Sequence, residues 1–141
     1  MIIDGTNLIL GRLATFAAKK ALEGESVIVL NCEKVIVTGN RKSLMARFKE
    51  KRNDVGGPIK GPFYPKTPDR VVRRAIRGML PFKQDRGRRA YKRVKCFKGI
   101  PETYSTQKIE TIESAHYSKL KTLNFITVND LSSIYGKDVA Q

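Results

Sequence analysis

Apolar positions in this chain form two kinds of run, unbroken and helically spaced. The unbroken runs are short and rich in β-branched residues. Ser26 to Asn31 (SVIVLN) has no polar alternation, the pattern of a strand covered on both faces. Val35 to Thr38 is a second, shorter strand ended by Gly39-Asn40, and Val94 to Phe97 a third. Met1 to Ile3 reads as an edge strand before the turn DGTN.

The helical runs lie between these strands. Gly11 to Leu22 places Leu13, Phe16, Ala17 and Ala21 on one face, and Gly24 follows at the C-terminal cap position. Arg41 to Arg52 can turn Leu44, Met45 and Phe48 inward. The sharpest division of faces is in Thr67 to Leu80. Val71, Val72, Ala75, Ile76, Met79 and Leu80 share one half of the wheel, and Arg70, Arg73, Arg74 and Arg77 share a narrower arc on the other. Thr67 suits the N-cap, Pro68 the first helical position and Asp69 the positive helix end, while Pro81 enforces a stop. Lys83 to Arg93 predicts a short basic helix. Beyond Pro101 the pattern weakens, with a short strand expected over Phe125 to Val128 and a last helix over Asn129 to Tyr135, ended by Gly136. Strands alternating with helices imply one α/β layered domain over residues 1–141 with a mostly parallel sheet.

Charge changes this picture from a fold to a surface. The net charge is +15, but residues 1–40 sum to zero and residues 99–141 to −1. The excess lies in residues 41–98, with twenty basic and four acidic side chains. A solubilising surface mixes both signs, whereas a one-sign block repels itself unless a polyanion lies against it. The basic positions that point to phosphate are Arg41, Lys42 and Arg47, then Lys60 and Lys66, then the arginine arc of 70, 73, 74 and 77. Lys83, Arg86, Arg88, Arg89, Lys92 and Arg93 continue the row, with Tyr91 and Phe97 interleaved. Asn53 to Lys66 (NDVGGPIKGPFYPK) is too rich in Gly and Pro for a helix or central strand. Its Phe63 and Tyr64 are placed to stack on a partner, and the loop is expected to order against RNA.

Catalytic patterns fail one by one. TGNRKS resembles a phosphate loop, but Ile36 and Arg41 stand where GxxxxGK[ST] requires glycine. There is no GxGxxG. His116 is the single histidine, and no acid pair is spaced for proton transfer. Cys32 and Cys96 have no ligand neighbours at metal spacing and are expected to be reduced, buried and metal-free. No apolar run approaches a membrane span, and the start lacks a basic, cleavable leader, so a cytoplasmic chain with no membrane partner, cofactor or small-molecule substrate is expected. Basic side chains spread over several helices and a loop favour wrapping an irregular RNA over reading a duplex groove.

Four segments then carry a resemblance: IDGTNLILGRLATFAAK, VIVLNCEKVIVTGNRK, GPIKGPFYPKTPDRVVRRAIRGMLP and GRRAYKRVKCFKGIP. In this order they resemble the universal large-subunit ribosomal protein thirteen family in its archaeal and eukaryotic form. PETY at 101–104 stands where the bacterial form has a His-containing end. The resemblance implies a three-layer α/β/α domain with a four-stranded, mainly parallel sheet. It also implies binding to large-subunit ribosomal RNA beside neighbouring ribosomal proteins, and a role in early subunit assembly. The alternative is an RNA-acting enzyme or translation factor using the same basic face. Such an enzyme needs acids or a histidine inside the basic block, which offers only Glu50, Asp54, Asp69 and Asp85, each separate from the next.

Overall fold

The structure is a computed structural model that describes residues 1–53, 56–57 and 59–137. Its centre is a three-stranded parallel sheet of order β1 (Ile2–Asp4), β2 (Val27–Leu30), β4 (Val94–Cys96). Ile3 sits beside Val29, and Val29 beside Cys96, in register. In β2, Val27, Val29 and Leu30 are buried and Ile28 is half-buried, so both faces are covered, as its unbroken apolar run requires. The helix between β1 and β2, α1 (Leu10–Glu23), buries Leu13, Ala14, Ala17, Ala18 and Ala21. Gly24 ends it at φ 105°, a backbone conformation that glycine enters without cost.

The sheet differs from the expected four strands. The second run, β3 (Ile36–Thr38), leaves the parallel ladder and pairs antiparallel with β5 (Phe125–Thr127), matching Val37 with Ile126. A single parallel bridge between Ile9 and Ile36 links this pair to the rest. The cause lies between the strands: Asn31 takes a left-handed conformation and Cys32–Lys34 forms a 3-10 turn, which redirects the chain before β3.

Four further helices complete the order: α2 (Arg41–Asn53), α3 (Pro68–Gly78), α4 (Asp85–Lys92) and α5 (Glu102–Ser105), before α6 (Val128–Lys137). Helix α3 buries Val71, Val72 and Ile76 and packs on α1 and β4. It stops at Gly78, two residues earlier than expected. The amides of Met79 and Leu80 bond three residues back, to the Ile76 and Arg77 carbonyls, in a tightened last turn. Leu80 stays buried, but Met79 leaves the apolar face and is 44% exposed, with its Sδ accepting a hydrogen bond from the Thr15 hydroxyl. Thr67 takes the N-cap conformation without a side-chain capping bond. In α2, Leu44, Met45 and Phe48 are only half-buried and no residue is fully buried, so this helix rides on the edge of the core.

The segment after Pro101 is part of the core. Ile112, Ala115, Ile126, Val128 and Leu131 are buried. Glu110 bonds through its backbone to Ile2 and Asp4, which covers the free edge of β1. The last helix passes through Gly136, where the sequence pattern placed its end; residues 138–141 lie outside the described residues.

Candidate nucleic-acid interface

The arginine arc predicted on α3 is present, and each of three guanidinium groups lies over an aromatic ring. The Arg73 carbon Cζ is 4.5 Å from the centre of the Tyr91 ring, Arg74 is 4.5 Å from Tyr64, and Arg77 is 4.1 Å from Phe82. Phe82 and Tyr91 meet edge to face at 5.4 Å. A row of rings therefore runs beneath a row of guanidiniums. One face of each guanidinium rests on an aromatic ring. Arg73, Arg74 and Arg77 are half-buried by this stacking, and Arg70 at the start of the row is exposed. Among the described residues none of the four makes a salt bridge. The Nε of Arg73 is buried without a hydrogen-bond partner.

The rings come from three places. Tyr64 comes from the Gly/Pro loop, Phe82 from the turn after α3 and Tyr91 from α4. Helix α4 can come this close because residue 87 is glycine: a Cβ there would overlap the carbonyl of Pro81. The sequence pointed to Tyr64 and showed Tyr91 interleaved with the basic row, but not as a partner of Arg73, and it missed Phe82. Phe82 follows the Pro81 stop directly, and helical periodicity does not continue across such a stop.

The remaining predicted residues separate into free, tethered and peripheral groups. Lys60, Lys66, Lys83, Arg86 and Lys92 are exposed, and Phe63 is 69% exposed. Asp54, Val55 and Pro58 of that loop lie outside the described residues. Arg88 donates to the Lys83 carbonyl, and Arg89 pairs with Asp85. Arg93 donates to the Ala21 carbonyl at 3.2 Å, tying β4 to the last turn of α1. On α2, Arg41 lies 3.7 Å from Asp130, while Lys42 and Arg47 are exposed.

Between Phe63, Tyr64 and the arginine row lies a cleft of about 460 Å³ with no acidic residue in its lining. A second of about 520 Å³ continues past Arg77, Phe82 and Lys83. Both clefts are lined by cationic and aromatic side chains together.

Comparison with known proteins decides the family. A model of the family described as "Ribosomal protein L13" matches residues 1–103. The chain belongs to the ribosomal protein L13 family. It is 42% identical to the large ribosomal subunit protein uL13 of Archaeoglobus fulgidus over 136 residues, covering 96% of this chain and 86% of that protein. The protein of the same name from Thermoplasma volcanium is 41% identical over 135 residues, covering 96% and 97%. That from Methanococcus maripaludis is 40% identical over 139 residues, with the same coverages. The L13 family is structural and non-enzymatic, which removes the enzyme alternative.

The other chemistry-bearing residues agree with a structural role. His116 is half-buried, with its Nδ1 3.0 Å from the Ser118 hydroxyl. Cys32 is buried, but Cys96 is only half-buried, against the expectation for both, because β4 carries it at the rim of the sheet. The neighbouring Cys96 thiol and burial push the Cys32 thiol far above its ordinary range, so Cys32 stays protonated. Among the described residues no three His, Cys, Asp or Glu side chains come together as a metal site.

Proposed function

We propose that this chain binds large-subunit ribosomal RNA through the stacked arginine row of α3 and the basic turn and helix that follow. In this reading it sits in the large subunit in the cytoplasm, beside other ribosomal proteins, and supports early assembly. The observation that carries the reading is the row itself: four arginines with no acid partner among the described residues, three of them lying over aromatic rings. Neighbouring guanidiniums on one helix face repel one another, and a phosphate chain relieves that repulsion while accepting their donors. A closed apolar cluster of the chain's own supports early binding, since it gives the protein a core that does not include the basic face. The coverage of both faces of β2 likewise supports the three-layer α/β/α arrangement.

The test is sedimentation followed by a salt series. Tagged protein is expected to run with large subunits, and its binding to isolated large-subunit RNA to weaken steeply as salt rises. Protein left in the soluble fraction while large subunits are intact overturns the reading.

A further inference from the structure

We propose that the cleft between Phe63 and the α3 arginines takes a single unpaired nucleobase of RNA, stacked on the Phe63 ring, with its phosphate on the arginine forks. The proposal rests on the RNA-binding reading above and adds what kind of RNA structure the site selects.

Three observations converge. The first is the unpartnered ring. Tyr64, Tyr91 and Phe82 each carry a guanidinium, whereas among the described residues Phe63 has no ring or cation contact and is 69% exposed. A phenyl group held open at the mouth of a charged cleft has a free face for a planar partner. The second is the shape and charge of the space. At about 460 Å³, lined by Arg70, Arg73 and Arg77 without an acid, it has room for one nucleotide, the right sign for its phosphate and the wrong sign for a basic side chain. The third is the Arg73 Nε, buried with no acceptor. A base-edge or phosphate acceptor that draws this guanidinium slightly outward relieves the cost of an unmade hydrogen bond.

A paired base cannot use such a site. In an A-form helix its faces are covered by stacked neighbours and its major-groove edge is out of reach, so only an extruded base can lie against Phe63. The cleft thus selects bulged or looped RNA, while the exposed lysines around it hold any phosphate chain.

The experiment compares the full chain on a short, fully paired RNA duplex and on the same duplex with one bulged 2-aminopurine. Wild type is expected to bind the bulged RNA roughly ten- to a hundred-fold more tightly and to quench the 2-aminopurine fluorescence. Phe63→Ala, an exposed change that leaves the core intact, is expected to abolish both the preference and the quench while leaving affinity for the paired duplex and its salt slope unchanged. Arg70→Gln is expected to weaken both RNAs and reduce the slope by about one. Equal wild-type affinity for the two RNAs, or an equal loss on both with Phe63→Ala, overturns the base site and leaves the RNA-binding reading standing. Absence of binding to either RNA at low salt overturns both.

Discussion

At the scale of single residues, the two halves of α3 are expected to separate stability from binding, with one modification that only the structure reveals. Ile76 is fully buried, and Ile76→Ala removes methylenes from a packed core, so thermal or denaturant unfolding is expected to show a loss of about 2–5 kcal/mol. On charge pattern alone, Arg73 and Arg77 are free surface groups whose replacement costs nothing in folding. They lie over Tyr91 and Phe82, so Arg73→Gln and Arg77→Gln together are expected to cost on the order of 0.5–1 kcal/mol each and to shrink the salt slope of RNA binding by up to about two. Full loss of folding in the arginine pair beside an unchanged Ile76→Ala would show that the faces are misassigned. A second residue-scale expectation concerns acid. One carboxylate oxygen of Asp4 accepts from the Thr6 amide, the Thr6 hydroxyl and the Asn31 side-chain amide. Burial pushes the Asp4 carboxyl up, but these bonds, with Lys34 nearby, outweigh it and hold it below the ordinary value of 3.8. A carboxyl lowered on folding adds stability above its unfolded pKa, and that stability is lost as pH falls through the folded one. The melting-temperature gap between wild type and Asp4→Asn is therefore expected to be widest near neutral pH and to close below about pH 4. A gap that is constant across that range contradicts the assignment.

At the scale of elements, sequence pattern located almost every helix and strand, because each is set by local physics: proline stops, glycine caps and apolar spacing. It lost the connections that depend on tertiary contact. The turn that sends β3 out of the parallel ladder rests on the left-handed Asn31, and its partner β5 lies almost ninety residues further along the chain. The candidate site divides the same way. The arginine arc of α3 was legible, since four arginines at helical spacing must share a face. The pairing of each arginine with a ring was not, since the rings arrive from a loop, a turn and another helix. The joint between α3 and α4 is what brings two of them in, and Gly87 is its hinge point. Gly87→Ala places a methyl group against the Pro81 carbonyl, so α4 must shift away from the turn. The expected result is a loss of about 1–3 kcal/mol in stability, with RNA affinity falling in parallel as Tyr91 leaves Arg73. Wild-type melting and binding in this variant would mean that α4 reaches its place without the close approach.

At the scale of the whole molecule, the charge map and the packing map do not share a boundary. The +16 block ends near Lys98, and the sequence past Pro101 reads as a weakly patterned appendage. Yet that segment covers the rest. Ile9 donates to the Ala115 carbonyl, Val128 donates to the Val35 carbonyl, and Glu110 closes the edge of β1. Its buried Ile112, Ala115, Ile126, Val128 and Leu131 are too few and too scattered to show helical or strand periodicity, because each fills a gap in a core built by other elements. The consequence is a test of where the domain ends. A chain cut after Pro101 keeps every residue of the arginine row but leaves β3 without its partner and the β1 edge bare. Such a truncation is expected to lose cooperative thermal unfolding, to bind hydrophobic dye, and to associate through the exposed strand edges. It keeps the whole basic block, so on the proposed reading affinity for RNA at low salt is expected to survive while any preference among RNA structures disappears with the fixed geometry of α3 and α4. If the truncated chain instead melts cooperatively within a few degrees of the full one, residues 102–137 are an appendage and the core closes without them.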